Sequence, residues 1–108
     1  MSTPRRLVLL RHAKAEHLGG PDHARPLALV GRRQAGAVGA ELFAEELVPD
    51  HVLCSSALRT RQTWELLRGG FGPVAREISV DVRDEVYDAG VTELLALLRE
   101  VPESAATV

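Results

Sequence analysis

The sequence predicts an α/β protein, a sandwich with a mostly parallel central sheet, in one domain spanning residues 1–108. Three observations predict it. Leu7-Val8-Leu9-Leu10 and His51-Val52-Leu53-Cys54 are short apolar runs of the kind found in strands buried on both faces. A segment with helical spacing lies downstream of each. The links between them are short and marked by Gly and Pro.

Composition narrows the function classes. Of the 108 residues, 45% are hydrophobic and 26% charged, which suits a soluble globular chain. The net charge is -2, so no basic field argues for a nucleic-acid partner. No apolar run approaches the ~20 residues that cross a bilayer, and residues 1–6 lack the apolar core of a signal peptide. The single cysteine, Cys54, cannot form an internal disulfide. A cytoplasmic protein without membrane or nucleic-acid partners is the expectation.

Taken in order, Arg6–Leu10 is the first strand, and Arg11 and His12 stand at its carboxyl end. Ligands gather at that end of open parallel sheets. A guanidinium suits phosphate oxygens, and a neutral imidazole can act as a nucleophile. A polar loop follows to about Leu29. His17 and His23 read as solvated there, since no Cys or carboxylate spacing around them makes a metal site. Gly31 opens a helix whose stripe is Gln34, Ala35, Val38, Leu42, Phe43 and Leu47, and Pro49 stops it. His51–Cys54 is the second strand, with His51 at the end away from the site. Ser55 or Ser56 caps the next helix, which ends at Gly69-Gly70. That junction delivers Arg59 to the same sheet edge as Arg11 and His12, beside backbone N–H groups that favour anions. A third strand is expected near Ile78–Val80, followed by a loop through Asp84 and Glu85 to Tyr87. Thr92 is the expected cap of a Leu-rich helix that Pro102 ends. Ala105–Val108 reads as the start of a fourth strand.

Three motifs then coincide: Leu10-Arg11-His12 after the first strand, Gly31-x-x-Gln34-Ala35 opening the first helix, and Ser55-x-x-x-Arg59-x-x-Gln62-Thr63 after the second strand. Together with Glu85-x-Tyr87-x-Ala89, they resemble the histidine phosphatase, or phosphoglycerate mutase-like, superfamily, and within it the small SixA-like phosphohistidine phosphatases. The resemblance runs over nearly the whole chain. It implies a three-layer α/β sandwich and a phosphatase that works through a phosphohistidine on His12. Arg11 and Arg59 would hold the phosphoryl oxygens, Ser55 and Lys14 would add donors or charge, and Glu85, or less readily Asp84, would give the leaving group its proton. Neighbouring arginines would keep the His12 ring neutral. No metal or other cofactor is implied. The expected substrate is phosphohistidine on a protein, with a small phosphate ester as the alternative.

The chain departs from the family in one respect. The family carries a second histidine in a Gly-His pair after a late strand, and no such pair occurs in these 108 residues. His17, His23 and His51 lie in the wrong places to replace it. The expectation is therefore that the last strand and helix of the fold are missing, and that the chain is part of a longer protein. On its own it would lose catalysis or associate with itself; a non-catalytic phosphate-binding module is the other reading. A cysteine-dependent phosphatase fits less well. Cys54 and Arg59 are separated by four residues instead of that class's five, and none of the four is the glycine that an amide-lined phosphate loop uses.

Overall fold

The computed structural model describes residues 4–108; residues 1–3 of the expected domain lie outside them. Helix α1 spans Leu29–Ala44, strand β1 His51–Ser55, helix α2 Leu58–Arg68, strand β2 Ser79–Arg83 and helix α3 Val91–Glu100. Short 3-10 turns occupy Asp22–Ala24, Gly69–Glu77 and Asp84–Val86. β1 and β2 pair in parallel, His51 opposite Ser79 and Ser55 opposite Arg83. The predicted α/β class with a parallel sheet holds.

Helix α1 starts at Leu29, two residues before the expected Gly31. Its carboxyl end closes as a Schellman motif. Leu47 N–H donates to Leu42 O at 2.8 Å and Glu46 N–H to Phe43 O at 3.2 Å, which places Glu46 at φ 58°. Helix α3 begins at Val91, and its first turn is tied by Glu93 instead of Thr92: the Glu93 carboxylate accepts the Gly90 N–H at 3.1 Å.

The packed core lies between α1, α2 and the turns of residues 69–77. Leu67, Phe71 and Ala75 are its buried centre, surrounded by Val38, Leu42, Val48, Trp64 and Ile78. The helices approach backbone to backbone at Gly39, where an added Cβ would stand 2.0 Å from Leu67 O.

The first strand differs from expectation. Residues 6–10 are extended but pair through one parallel bridge, Arg6 with Thr107. Val8 N–H donates to Val108 O and Val108 N–H to Arg6 O. Within the described residues Leu9 is 77% exposed and Leu10 49%, so there the run is not covered on both faces. The tail, expected as the start of a fourth strand, forms the other side of that single bridge and is anchored by Asp50. The Asp50 carboxylate accepts the N–H groups of Ala106 and Thr107 at 2.9 and 2.8 Å. Beyond Thr107, the 7–10 stretch and β1 border a largely apolar cavity of about 280 Å3, lined also by Leu94, Leu98 and Val108.

Candidate active site

The site gathers at the carboxyl ends of the 6–10 stretch and β1, against the first turns of α2. His12 leaves the extended stretch with its Nδ1 2.7 Å from Ala13 O. A carbonyl oxygen only accepts, so in the neutral ring Nδ1 carries the proton and Nε2 keeps its lone pair. Ala13 N–H donates to Thr63 Oγ1 at 3.2 Å, and that hydroxyl donates to Arg59 O at 2.7 Å. His12 is thereby held to α2 one turn beyond Arg59, and it lines the same cavity as Ser55, Thr60 and Thr63. Arg11 and Lys14 flank it as exposed side chains.

The loop after His12 folds back on itself. Glu16 N–H donates to Pro26 O, and Ala28 N–H to Lys14 O. The Lys14 backbone crosses α1 at Gly31, where a Cβ would lie 2.1 Å from Lys14 O, so only glycine fits. Gln62 Oε1 accepts the Leu27 N–H at 2.8 Å and fastens the returning limb.

The loop tip carries Asp22 onto Arg59. Arg59 Nη1 donates to Asp22 O at 2.7 Å and Nη2 to Asp22 Oδ2 at 3.0 Å. The Tyr87 hydroxyl donates to the same Oδ2, and Arg25 Nη1 reaches Oδ1 at 3.2 Å. These donors, Tyr87 first and then Arg25 and Arg59, hold the Asp22 carboxyl well below the usual carboxylate range, and the hydrogen bond to Asp22 pushes the Tyr87 phenol up. Arg59 thus has a carboxylate partner, brought by a loop far off in sequence.

Other expectations also change. Neither serine caps α2, which starts from Ala57 without a side-chain cap. Ser55 Oγ instead accepts the Ala57 N–H at 3.2 Å, and Ser56 Oγ lies 2.9 Å from His23 Nε2. Thr60 Oγ1 bonds back to the carbonyls of Ser55 and Ala57. His23 is exposed but not merely solvated, because its ring also meets the Tyr87 ring edge-on at 5.0 Å. His17 Nε2 lies 2.9 Å from Arg25 Nη2. His51 opens β1, at the end away from the site.

Glu85 sits in the turn after β2, where Arg83 grips its carboxylate through Nε at 2.9 Å and through Nη2. The Arg83 bonds hold its carboxyl below its ordinary value. It keeps its charge, the reverse of what a proton donor needs. Its exposed neighbour Asp84 lies in the same turn. Cys54 is buried in β1, and desolvation pushes its thiol up, away from the reactive thiolate. Among the described residues, no group of three or more His, Cys, Asp or Glu is placed to hold a metal ion, and no helix is long and apolar enough to cross a membrane.

This arrangement stands in a known lineage. Residues 7–99 match the histidine phosphatase superfamily (branch 1). The chain belongs to that superfamily. The solved structure of a Nakamurella multipartitia protein, provisionally described as the phosphohistidine phosphatase SixA, superposes with a TM-score of 0.85 at 43% identity. It covers 96% of this chain and 56% of that one. The protein histidine phosphatase SixA complexed with tungstate gives a TM-score of 0.81 at 26% identity, covering 94% of this chain and 65% of that one. An uncharacterised protein of Mycobacterium tuberculosis is 36% identical over 100 residues, 92% of this chain and 59% of its own length. The chain thus resembles the SixA branch of that superfamily in sequence and fold, and spans a little over half the length of two of these relatives.

Asp22, Gln62, Thr63 and Asp50 were not singled out as positioning groups from the sequence. Gln62 and Thr63 had a signal, since they belong to the Ser-x-x-x-Arg-x-x-Gln-Thr motif. The structure gives each an N–H group of the His12 loop to hold.

Proposed function

We propose that this protein is a phosphatase that forms a phosphohistidine on His12, and that its substrate is phosphohistidine carried on a protein. The observation that carries the reading is the contact of His12 Nδ1 with Ala13 O, which in the neutral ring holds the proton on Nδ1 and leaves the Nε2 lone pair to attack. In the first step the Nε2 lone pair forms a bond to phosphorus, and the bond from phosphorus to the leaving group breaks. In the second, water attacks phosphorus, the phosphorus–Nε2 bond breaks, and inorganic phosphate leaves. Arg11 and Arg59 would stabilise charge on the phosphoryl oxygens, with Ser55 and Lys14 beside them; positioning and electrostatics supply most of such catalysis. The tungstate complex of the related SixA supports an oxyanion site in this fold.

The engagement of Glu85 with Arg83 favours this substrate class. An alkoxide leaving group needs a proton from a carboxylic acid. A phosphorylated imidazole has a second ring nitrogen that takes its proton from water near neutral pH, so it leaves as neutral imidazole without help from a carboxylic acid. The segment from Gly69 to Arg83 is a run of short turns and one strand, with no inserted element to enclose a small substrate.

The test compares specificity constants of the full-length protein on a phosphohistidine-bearing protein and on sugar or glycerate phosphates. A clearly larger value for phosphohistidine is expected. A larger value for the esters overturns the substrate assignment. Oxyanion binding with turnover of neither leaves a phosphate-binding module and overturns the catalytic reading.

A further inference from the structure

We propose that Asp22 and Tyr87 are positioning residues that hold the Arg59 guanidinium by its Nη end and its face, leaving its Nε edge for a phosphoryl oxygen. The proposal rests on the reading that Arg59 binds the phosphoryl group.

The geometry constrains Arg59 from two directions. Its two Nη atoms are taken by Asp22, one on the backbone carbonyl and one on the carboxylate. Its Cζ lies over the Tyr87 ring, 5.8 Å from the centroid, within cation–π range. Tyr87 is itself fixed, because its hydroxyl donates to the same Asp22 oxygen and His23 packs against its ring edge. A long flexible side chain is thereby reduced to one orientation, and 13% of it remains exposed.

The remaining donor is the telling one. Arg59 Nε is buried and has no hydrogen-bond partner among the described residues. Buried donors are nearly always satisfied, and an unsatisfied one marks a place where a partner is missing. An arginine binds an oxyanion through parallel N–H groups, and its Nε–Nη edge offers such a pair once the Nη1–Nη2 end is occupied. The clamp therefore directs Arg59 without consuming its phosphate-binding edge. It also orders the side chain before substrate arrives, so less conformational entropy is lost on binding.

A salt bridge that only ties the 13–28 loop to α2 would be visible in the same contacts, so the test must separate the two roles. In the full-length protein, Asp22→Asn removes the charge while keeping the shape. It is expected to lower kcat/KM and to weaken inhibition by vanadate about tenfold each. Tyr87→Phe keeps the ring and loses the hydroxyl, and is expected to lower both about threefold. The deciding measurement is the double-mutant cycle with Arg59→Ala. If Asp22 acts through Arg59, Asp22→Asn costs nothing further once Arg59 is gone. An equal loss in both backgrounds overturns the positioning role, as does a fully active, vanadate-sensitive Asp22→Asn protein. Unchanged turnover and vanadate affinity in Arg59→Ala alone refutes the underlying phosphate-binding assignment instead.

Discussion

Thr63 Oγ1 accepts the N–H of Ala13, the residue that follows His12, across fifty positions of sequence. The same face of α2 presents Gln62 to Leu27 N–H and Arg59 to Asp22. One helix turn thus holds the root, the returning limb and the tip of the loop that carries His12. The motif Arg59-x-x-Gln62-Thr63 is a set of clamps on that loop.

Removing these clamps should cost stability and activity unequally. Thr63 is 4% exposed, and Thr63→Val keeps its shape while leaving Ala13 N–H without an acceptor. An unmade hydrogen bond at a buried group costs about 1–3 kcal/mol. Gln62→Ala strands the N–H of buried Leu27 at a similar cost. Denaturant titration should show comparable losses for both. Steady-state kinetics should show the larger fall in kcat for Thr63→Val, because that bond adjoins His12. Equal kcat effects would mean that the two bonds only stabilise the loop.

Two glycine exchanges should act in opposite directions on the first helix. Gly39→Ala drives a Cβ to within 2.0 Å of Leu67 O, a backbone atom that cannot move aside cheaply. It should destabilise the protein by more than about 2 kcal/mol, in the range of overpacked cores. Glu46 holds the left-handed position of the Schellman motif at φ 58°, where a side chain is strained. Glu46→Gly should stabilise by about 0.5–1 kcal/mol. Thermal melts of the two variants give both signs directly.

The helices and the two β-strands were legible because apolar spacing is a local signal. Val38, Leu42, Trp64 and Leu67 announce the packed faces on which they lie. The exposure of Leu9 and Leu10 within residues 4–108 was not legible, because burial of that run depends on neighbouring strands and not on local spacing. The serine caps were misjudged because Ser55 and Ser56 bond elsewhere and Thr60 turns back onto Ser55 O and Ala57 O. In the site, His12 and Arg59 stood out by residue type and by their place after apolar strands. Asp22 did not. Its partners Arg59 and Tyr87 lie 37 and 65 positions away, and no local spacing encodes contacts of that range. Glu85 looked like an acid until Arg83, two residues before it, was seen to hold its charge in place.

Acid should loosen the loop through Asp22. Its folded-state pKa lies below its ordinary value of 3.8, so its stabilising contribution is complete above that value and is lost as pH falls beneath it. The melting temperature of the natural protein should exceed that of Asp22→Asn by a margin that is constant above about pH 5 and shrinks below about pH 3.5. Glu85 shifts in the same direction through Arg83, so Glu85→Gln should show the same pattern. A margin that grows in acid would contradict the pairing of Asp22 with Arg59, Arg25 and Tyr87.

Two candidate nucleophiles lie close in the fold, and chemistry separates them. Cys54 Sγ donates to Ser55 O at 3.3 Å inside β1, and burial keeps the thiol protonated at neutral pH. It should behave as a small apolar core group, so Cys54→Ser should leave turnover within about twofold. His12 stands after residues 6–10 with Nδ1 on Ala13 O, which in the neutral ring leaves the lone pair on Nε2. His12→Ala in the full-length protein should lower kcat by about 10⁴-fold or more, as loss of a covalent nucleophile does. Rapid quenching with a radiolabelled substrate should trap a phosphoprotein whose label survives alkali and is lost in acid, as a phosphorus–nitrogen bond requires. That label should map to His12, be absent from His12→Ala and persist in Cys54→Ser. An alkali-labile or thiol-bound label, or full turnover in His12→Ala, would remove His12 from the reaction.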